Sequence, residues 1–327
     1  MAAVDEHELI SRFFRPLAGR AGTFDLTDDA ASLAPPDGCD LVLTKDGIAA
    51  GYHFLPDETP GNIARKALRV NLSDLAAKGA RPLGYLMLLG LGARWEEAWL
   101  SEFTAALAAD QSTYGIDLLG GDTIRADGLV VSITAIGTVP KGAMVRRSGA
   151  RPGDRIYVTG TIGDAALGLL AATADSRLGH LDEGHRRHLL DRYSVPQPRT
   201  GLADALRRHA TAALDVSDGL AGDLDKLCKV SGVGAAVDLD HVPLSPAVRA
   251  AAAQDPAMLE LAVTGGDDYE ILCAIPPEAS EAFEKVATDA GTPVTAIGEI
   301  RDGEGPAMFH RGGTPSGFSR RSFSHTG

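Results

Sequence analysis

RIYVTG (155–160) followed by GDAALGLLAATA (163–174) passes from a β-branched and aromatic run, through a turn with glycines at 160 and 163, into an Ala- and Leu-rich run. That change predicts a strand turning into a helix. The segment just before it, PKGAMVRRSGARPGD (140–154), holds two prolines, three glycines and a cluster of arginines, and so marks a domain boundary. The expected division is a first domain over 1–140, a linker over 141–154 and a second domain over 155–327.

Upstream, LVLTKDGIAA (41–50), YLMLLGL (85–91), IDLLGGD (116–122) and LVVSITAIGTVP (129–140) read as strands. Helical spacing joins Leu9, Ile10, Phe13, Phe14 and Leu17 in an opening helix from Asp5, and Ile63, Leu68, Val70 and Leu75 in a helix over 62–80. A third helix is expected from Trp95 to Tyr114. Downstream, 212–240 reads strand, loop, helix, strand; DYEILCAI (268–275) and TPVTAIGEI (292–300) are strands around a helix from Pro277 to Ala290. Alternation of this kind in both halves predicts an α/β or α+β class.

The length of 327 residues agrees with two domains at about 150 residues each. Apolar residues at 44% and charged residues at 23% are ordinary globular values and exclude disorder and fibrous structure. A net charge of −13 would repel a polyanionic backbone, which argues against nucleic-acid binding. Cys39, Cys228 and Cys273 are odd in number and form no CxxC pair, so a reducing, cytoplasmic setting is expected. The acidic N-terminal stretch does not read as a signal peptide and no apolar run reaches the length of a membrane span, so a soluble, unprocessed chain is expected.

The acids are unusual in their placement. Asp28–Asp29, Asp46, Asp74, Asp122, Asp215, Asp218 and Asp267–Asp268 sit at strand-to-loop junctions beside small residues. Unpaired carboxylates there would cost several kcal/mol each, so they call for cations or hydrogen bonds. Any one of them also reads as a turn or cap residue; as a series they point to a site for a hard cation such as Mg²⁺. No Walker-type phosphate loop occurs, but Gly160-Thr161-Ile162-Gly163 and Gly120–Gly121 could expose backbone N–H groups to phosphate. With Arg146–Arg147 these make a phosphoryl-transfer set. His53 between Tyr52 and Phe54 reads equally as a packed histidine, Phe318 as packing, the arginine pair as solvated, and Ser217 as the cap of a helix starting near Asp218.

NLSDLAAKGA (71–80), LLGGDT (118–123), VTGTIGDAALGL (158–169), LDVSDGL (214–220) and TGGDDYEIL (264–272), in this order, resemble the thiamine-monophosphate kinases of the aminoimidazole ribonucleotide synthetase-like superfamily. The resemblance runs from about Glu8 to Phe318. It implies a two-domain fold, a homodimer whose N-terminal strands form an intersubunit barrel, and a nucleotide bound between the domains. It also implies direct transfer from ATP to thiamine monophosphate with several Mg²⁺ ions. Asp29, Thr44, Asp46, Asp74, Asp122, Asp215 and Asp218 would then be metal ligands. Gly121, Asp122, Arg147 and Ser217 would contact ATP, and His53, Asp267 and Phe318 the thiamine phosphate. No residue is assigned as a general base. The chain departs from the family pattern at Leu26-Thr27-Asp28-Asp29, where Gly-x-Gly-Asp-Asp is common, at Lys45 in place of Thr, and at Asp267 in place of Glu. Two other readings are weighed: another ATP-dependent member, forming selenophosphate or aminoimidazole ribonucleotide, and a non-catalytic nucleotide-binding protein. The first would need a reactive cysteine near the N-terminus, and Cys39 in its Pro-Asp-Gly turn is a poor substitute.

Overall fold

The computed structural model describes residues 6–92 and 96–323. Asp5 and Trp95, where two of the expected helices begin, lie outside the described residues. The chain divides into two compact units, one of Met1–Leu75 with Ala80–Gly142 and one of Ala76–Gly79 with Ala143–Gly327.

The first unit opens with α1 (Glu6–Leu9), which continues as a π turn (Ile10–Phe14) and a 3-10 turn (Arg15–Leu17) that contains Pro16, so the expected single helix is three short pieces. Then come β1 (Cys39–Ala49), α2 (Pro60–Ala77), β2 (Arg81–Leu91), α3 (Glu97–Tyr114), β3 (Asp117–Arg125) and β4 (Val130–Pro140). The sheet order is β1-β4-β2-β3, antiparallel except for β2 and β3, which run parallel with α3 between them in sequence. Residues alternate across each strand. Val42 and Ile48 of β1, Tyr85, Met87 and Leu89 of β2, and Val131 and Ile133 of β4 are buried in one cluster with Leu68 and Leu72 of α2 and Leu100, Phe103 and Leu107 of α3. The residues of opposite parity, among them Leu43, Lys45, Leu86, Ser132 and Thr134, belong to the other face, where Leu43 is 62% and Leu86 42% exposed.

The second unit contains β5 (Arg155–Thr159), α4 (Asp164–Ala172), α5 (Glu183–Ser194), α6 (Ala203–His209), β6 (Ala212–Asp215), α7 (Leu220–Ser231), β7 (Gly234–Asp238), α8 (Pro246–Gln254), α9 (Ala257–Thr264), β8 (Ile271–Ile275), α10 (Ser280–Asp289), β9 (Val294–Arg301), β10 (Met308–Arg311) and β11 (Thr314–Ser316). Its sheet runs β11-β10-β7-β9-β5-β8-β6. Both faces are covered, which explains the near-continuous apolar strands. Ile156, Val158, Leu214 and Leu272 join Leu220, Leu224 and Leu227 of α7 on one side. Tyr157, Cys273 and Ile275 join Leu206 of α6 and Phe283 of α10 on the other. The strand expected over 268–275 starts only at Ile271, because residues 265–270 form a loop with left-handed backbone at Asp267 and Tyr269. Residues 143–150 pack into this unit: Val145 is buried, its amide donates to Lys78, and the Arg146 carbonyl accepts from Ala213.

Candidate active site

In the first unit the NLSD motif lies on α2 facing β1. Asn71 and Asp74 are three residues apart, so they share a helix face. Thr44 Oγ1 donates to Asp74 Oδ2 at 2.5 Å, and the Asp46 amide donates to Asn71 Oδ1 at 2.9 Å. Asn71 is fully buried and its own amide donates to the Ala67 carbonyl, so it is a rigid support. This β1–α2 clasp brings together three of the expected ligands, Thr44, Asp46 and Asp74. Asn71 is a member that the search for acids did not single out, although it stands in the quoted motif.

The other face of the sheet carries a cavity of about 830 Å³ lined by Asp28, Asp29, Lys45, Gly121, Asp122 and Ser132, with Phe14, Leu26, Leu86 and Leu88 among its apolar walls. The cavity therefore brings Asp29, Gly121 and Asp122 together. The approach to Asp28–Asp29 is made without glycine: Phe24, Asp25 and Leu26 adopt φ of 50°, 57° and 56°. Left-handed backbone at non-glycine residues costs of order 1 kcal/mol or more each. Gly121 is required by sheet geometry, since a Cβ there would lie 1.9 Å from the Met87 carbonyl oxygen. His53 is half-buried and Nδ1 accepts the Ala49 amide at 3.2 Å, which leaves the proton of the neutral ring on Nε2.

In the second unit Asp215 ends β6 and is buried, and Ser217 and Asp218 follow in the loop to α7. That loop is zipped to residues 265–270. Asp267 N donates to Ser217 O at 2.8 Å, Tyr269 N to Val216 O at 2.9 Å, and Val216 N to Glu270 O at 2.8 Å. Glycine is obligatory at 266, where φ is 78° and a Cβ would lie 2.3 Å from the Ser217 carbonyl oxygen. The loops thus hold Asp215, Ser217, Asp218 and Asp267 beside one another. Arg147 is exposed, next to the Arg146 carbonyl that binds β6. Phe318 packs edge-on against Phe309 at 5.0 Å, with the Arg321 guanidinium 5.9 Å from its ring centre, so it already has a cationic neighbour.

Two expectations are corrected here. Ser217 does not cap α7, which begins at Leu220 without a side-chain cap. Instead Asp223 Oδ2 accepts from both Ser217 N, at 3.0 Å, and Asp218 N, at 2.9 Å. The turn 160–163 is not an open phosphate cradle. Gly160 N donates to Pro293 O and Ile162 N to Pro243 O, while Asp268 takes Gly163 N at 2.8 Å and Ala165 N at 3.3 Å. The start of α4 is already capped by the Asp268 carboxyl. Burial pushes the Asp268 carboxyl well above the usual carboxylate range; the Gly163 and Ala165 amides oppose this and nearby Asp164 adds to it.

Residues 27–139 match the AIR synthase related protein N-terminal domain and residues 151–311 the AIR synthase related protein C-terminal domain. The chain is 46% identical over 312 residues to a thiamine-monophosphate kinase of Caulobacter vibrioides, covering 94% of this chain and 87% of that one. The chain belongs to the thiamine-monophosphate kinase family. A solved thiamine-monophosphate kinase from Stenotrophomonas maltophilia K279a superposes with a TM-score of 0.80 at 38% identity, over 89% of this chain and 91% of that one. The structure of AaThiL complexed with AMPPCP and TMP superposes with a TM-score of 0.77 at 27% identity, over 91% of each chain.

Whether the family's expected metal suits these residues is answered by their donors. The candidate ligands of the clasp and the cavity, Asp29, Thr44, Asp46, Asp74 and Asp122, offer carboxylates and a hydroxyl, all hard oxygens. Among the described residues no three His, Cys or acidic side chains converge to enclose an ion. Mg²⁺ suits such a layout, because it is usually held by one or two carboxylates and keeps water and substrate phosphate for its remaining positions.

Proposed function

We propose that the chain transfers the γ-phosphate of ATP to the phosphate of thiamine monophosphate, giving thiamine diphosphate and ADP by direct in-line transfer. The observation that carries this reading is the β1–α2 clasp that joins Thr44 and Asp46 to Asp74 of the NLSD motif, in a member of this kinase family. Asp29, Thr44, Asp46, Asp74 and Asp122 of one unit and Asp215 and Asp218 of the other are the residues that would hold Mg²⁺. When bound, Mg²⁺ supplies neutralisation of the phosphate charges that keep donor and acceptor apart.

Gly121, Asp122, Arg147 and Ser217 are assigned to the nucleotide. Arg147 suits the task because a guanidinium can bind phosphate through two parallel N–H groups. His53, Asp267 and Phe318 are assigned to thiamine monophosphate, His53 through an Nε2–H that can donate to a phosphate oxygen. The accepting phosphate oxygen is ionised at neutral pH, so positioning replaces a general base. Exposed Leu43 and Leu86 on the open sheet face support a homodimer joined there. The three free cysteines support a cytoplasmic location. Purified protein incubated with ATP, Mg²⁺ and thiamine monophosphate is expected to form thiamine diphosphate and ADP; absence of thiamine diphosphate overturns the reading.

A further inference from the structure

Lys226, on α7, lies one turn after Asp223 and bridges two carboxylates. Its Nζ donates to Asp218 Oδ2 and, at 2.7 Å, to Asp223 Oδ1. The two acids differ. The Asp223 side chain is 2% exposed and its other oxygen holds the Ser217 and Asp218 amides, so it is committed to shaping the loop. The Asp218 side chain is 31% exposed and Lys226 37%, so their contact is open to solvent and to an arriving ion.

We propose that Lys226 is the chain's own cation at Asp218, which a divalent ion must displace, so that Lys226 sets how tightly this position holds the ion. The inference rests on the assignment of Asp218 as a metal ligand. An ammonium donates three hydrogen bonds and has no lone pair, so it cannot join a coordination shell; it can only compete for the carboxylate oxygen and repel the ion. Displacement does not strand the ammonium, because Asp223 Oδ1 retains it. Lys226 therefore stabilises the ion-free loop and weakens ion binding at the same time, and a neutral side chain at 226 reverses both effects.

The test is Mn²⁺ binding to the full chain, measured by calorimetry and by the electron-spin signal of free Mn²⁺, for wild type, Lys226→Gln, Lys226→Arg and Asp218→Asn. Lys226→Gln is expected to bind Mn²⁺ about three- to tenfold more tightly, Lys226→Arg to match wild type, and Asp218→Asn to bind more weakly. In the Asp218→Asn background the gain from Lys226→Gln should vanish. If Asp218→Asn weakens binding but Lys226→Gln does not tighten it, the competition is overturned while the ligand assignment stands. If Asp218→Asn leaves binding unchanged, the ligand assignment itself falls. Should Lys226→Gln fail to fold, a crystal structure of the wild type with Mn²⁺ decides: Nζ moved off Asp218 onto Asp223 supports the proposal, and Nζ still on Asp218 overturns it.

Discussion

The acids of the two units live in different surroundings. In the first, Asp28, Asp29, Asp46 and Asp122 are exposed, carried by a loop and by strands of a sheet with one open face. In the second, Asp164, Asp223, Asp268 and Glu270 are buried, and the protein supplies much of their compensation. Glu270 is fully buried and pairs with Arg192 at 2.8 Å and Arg199 at 2.5 Å while accepting from Thr159 at 2.5 Å. Asp268 caps α4 and Asp223 shapes the loop before α7. An acid at a strand end is thus either a group presented to a ligand or a strut, and the surroundings rather than the residue type separate the two.

Substitution can break that comparison. Asp46→Asn keeps the shape of the clasp and removes its charge; it is expected to lower turnover about 10²-fold or more, since groups that stabilise transferring charge are worth roughly that much, with the circular dichroism spectrum and Tm near wild type. Turnover within twofold of wild type would place Asp46 among the struts. Glu270→Ala should show the opposite pattern. It leaves two guanidiniums, 8% and 18% exposed, without their carboxylate. Removing one partner of a buried pair costs about 3–5 kcal/mol, read as a loss of stability in urea. A loss below about 1 kcal/mol would show that Arg192 and Arg199 find water instead.

The strands from β1 to β9 were legible in the sequence because they carry apolar runs and their turns carry glycine; β10 and β11, of four and three residues, were not. The helices α5, α6, α8 and α9 were not read from the sequence; α5 has only Leu189, Arg192 and Tyr193 buried among its twelve residues, too few for a clear stripe. The family resemblance pointed to Thr44, Asp46 and Asp74, but spacing alone could not reveal that β1 and α2 press them together, since the contact joins residues 30 apart. The misreading at 160–163 has a related cause. A glycine turn before a helix is a sound signal for an acceptor of its amides, and the acceptor here is the Asp268 carboxyl, 105 residues further along the chain. Lys226 was not singled out from the sequence; Asp-x-x-Lys spacing over 223–226 was the available clue.

Asp268 gives the smallest of these effects and the sharpest check on the idea of a strut. Its carboxyl is raised by burial, so above the ordinary carboxylate value of about 3.9 the folded chain keeps a proton that the unfolded chain has lost. Stability from this group is therefore complete below that value and declines as pH rises toward the folded-state value. The slope is at most about 1.4 kcal/mol per pH unit, the limit for one proton. Asp268→Asn has no such titration and retains a carbonyl oxygen for the Gly163 amide. The stability of wild type minus that of Asp268→Asn, measured by urea unfolding from pH 4 upward, should fall as pH rises. A difference that rises instead would mean that the Gly163 and Ala165 amides hold the carboxylate ionised, and that the start of α4 is an anion site which burial does not overcome.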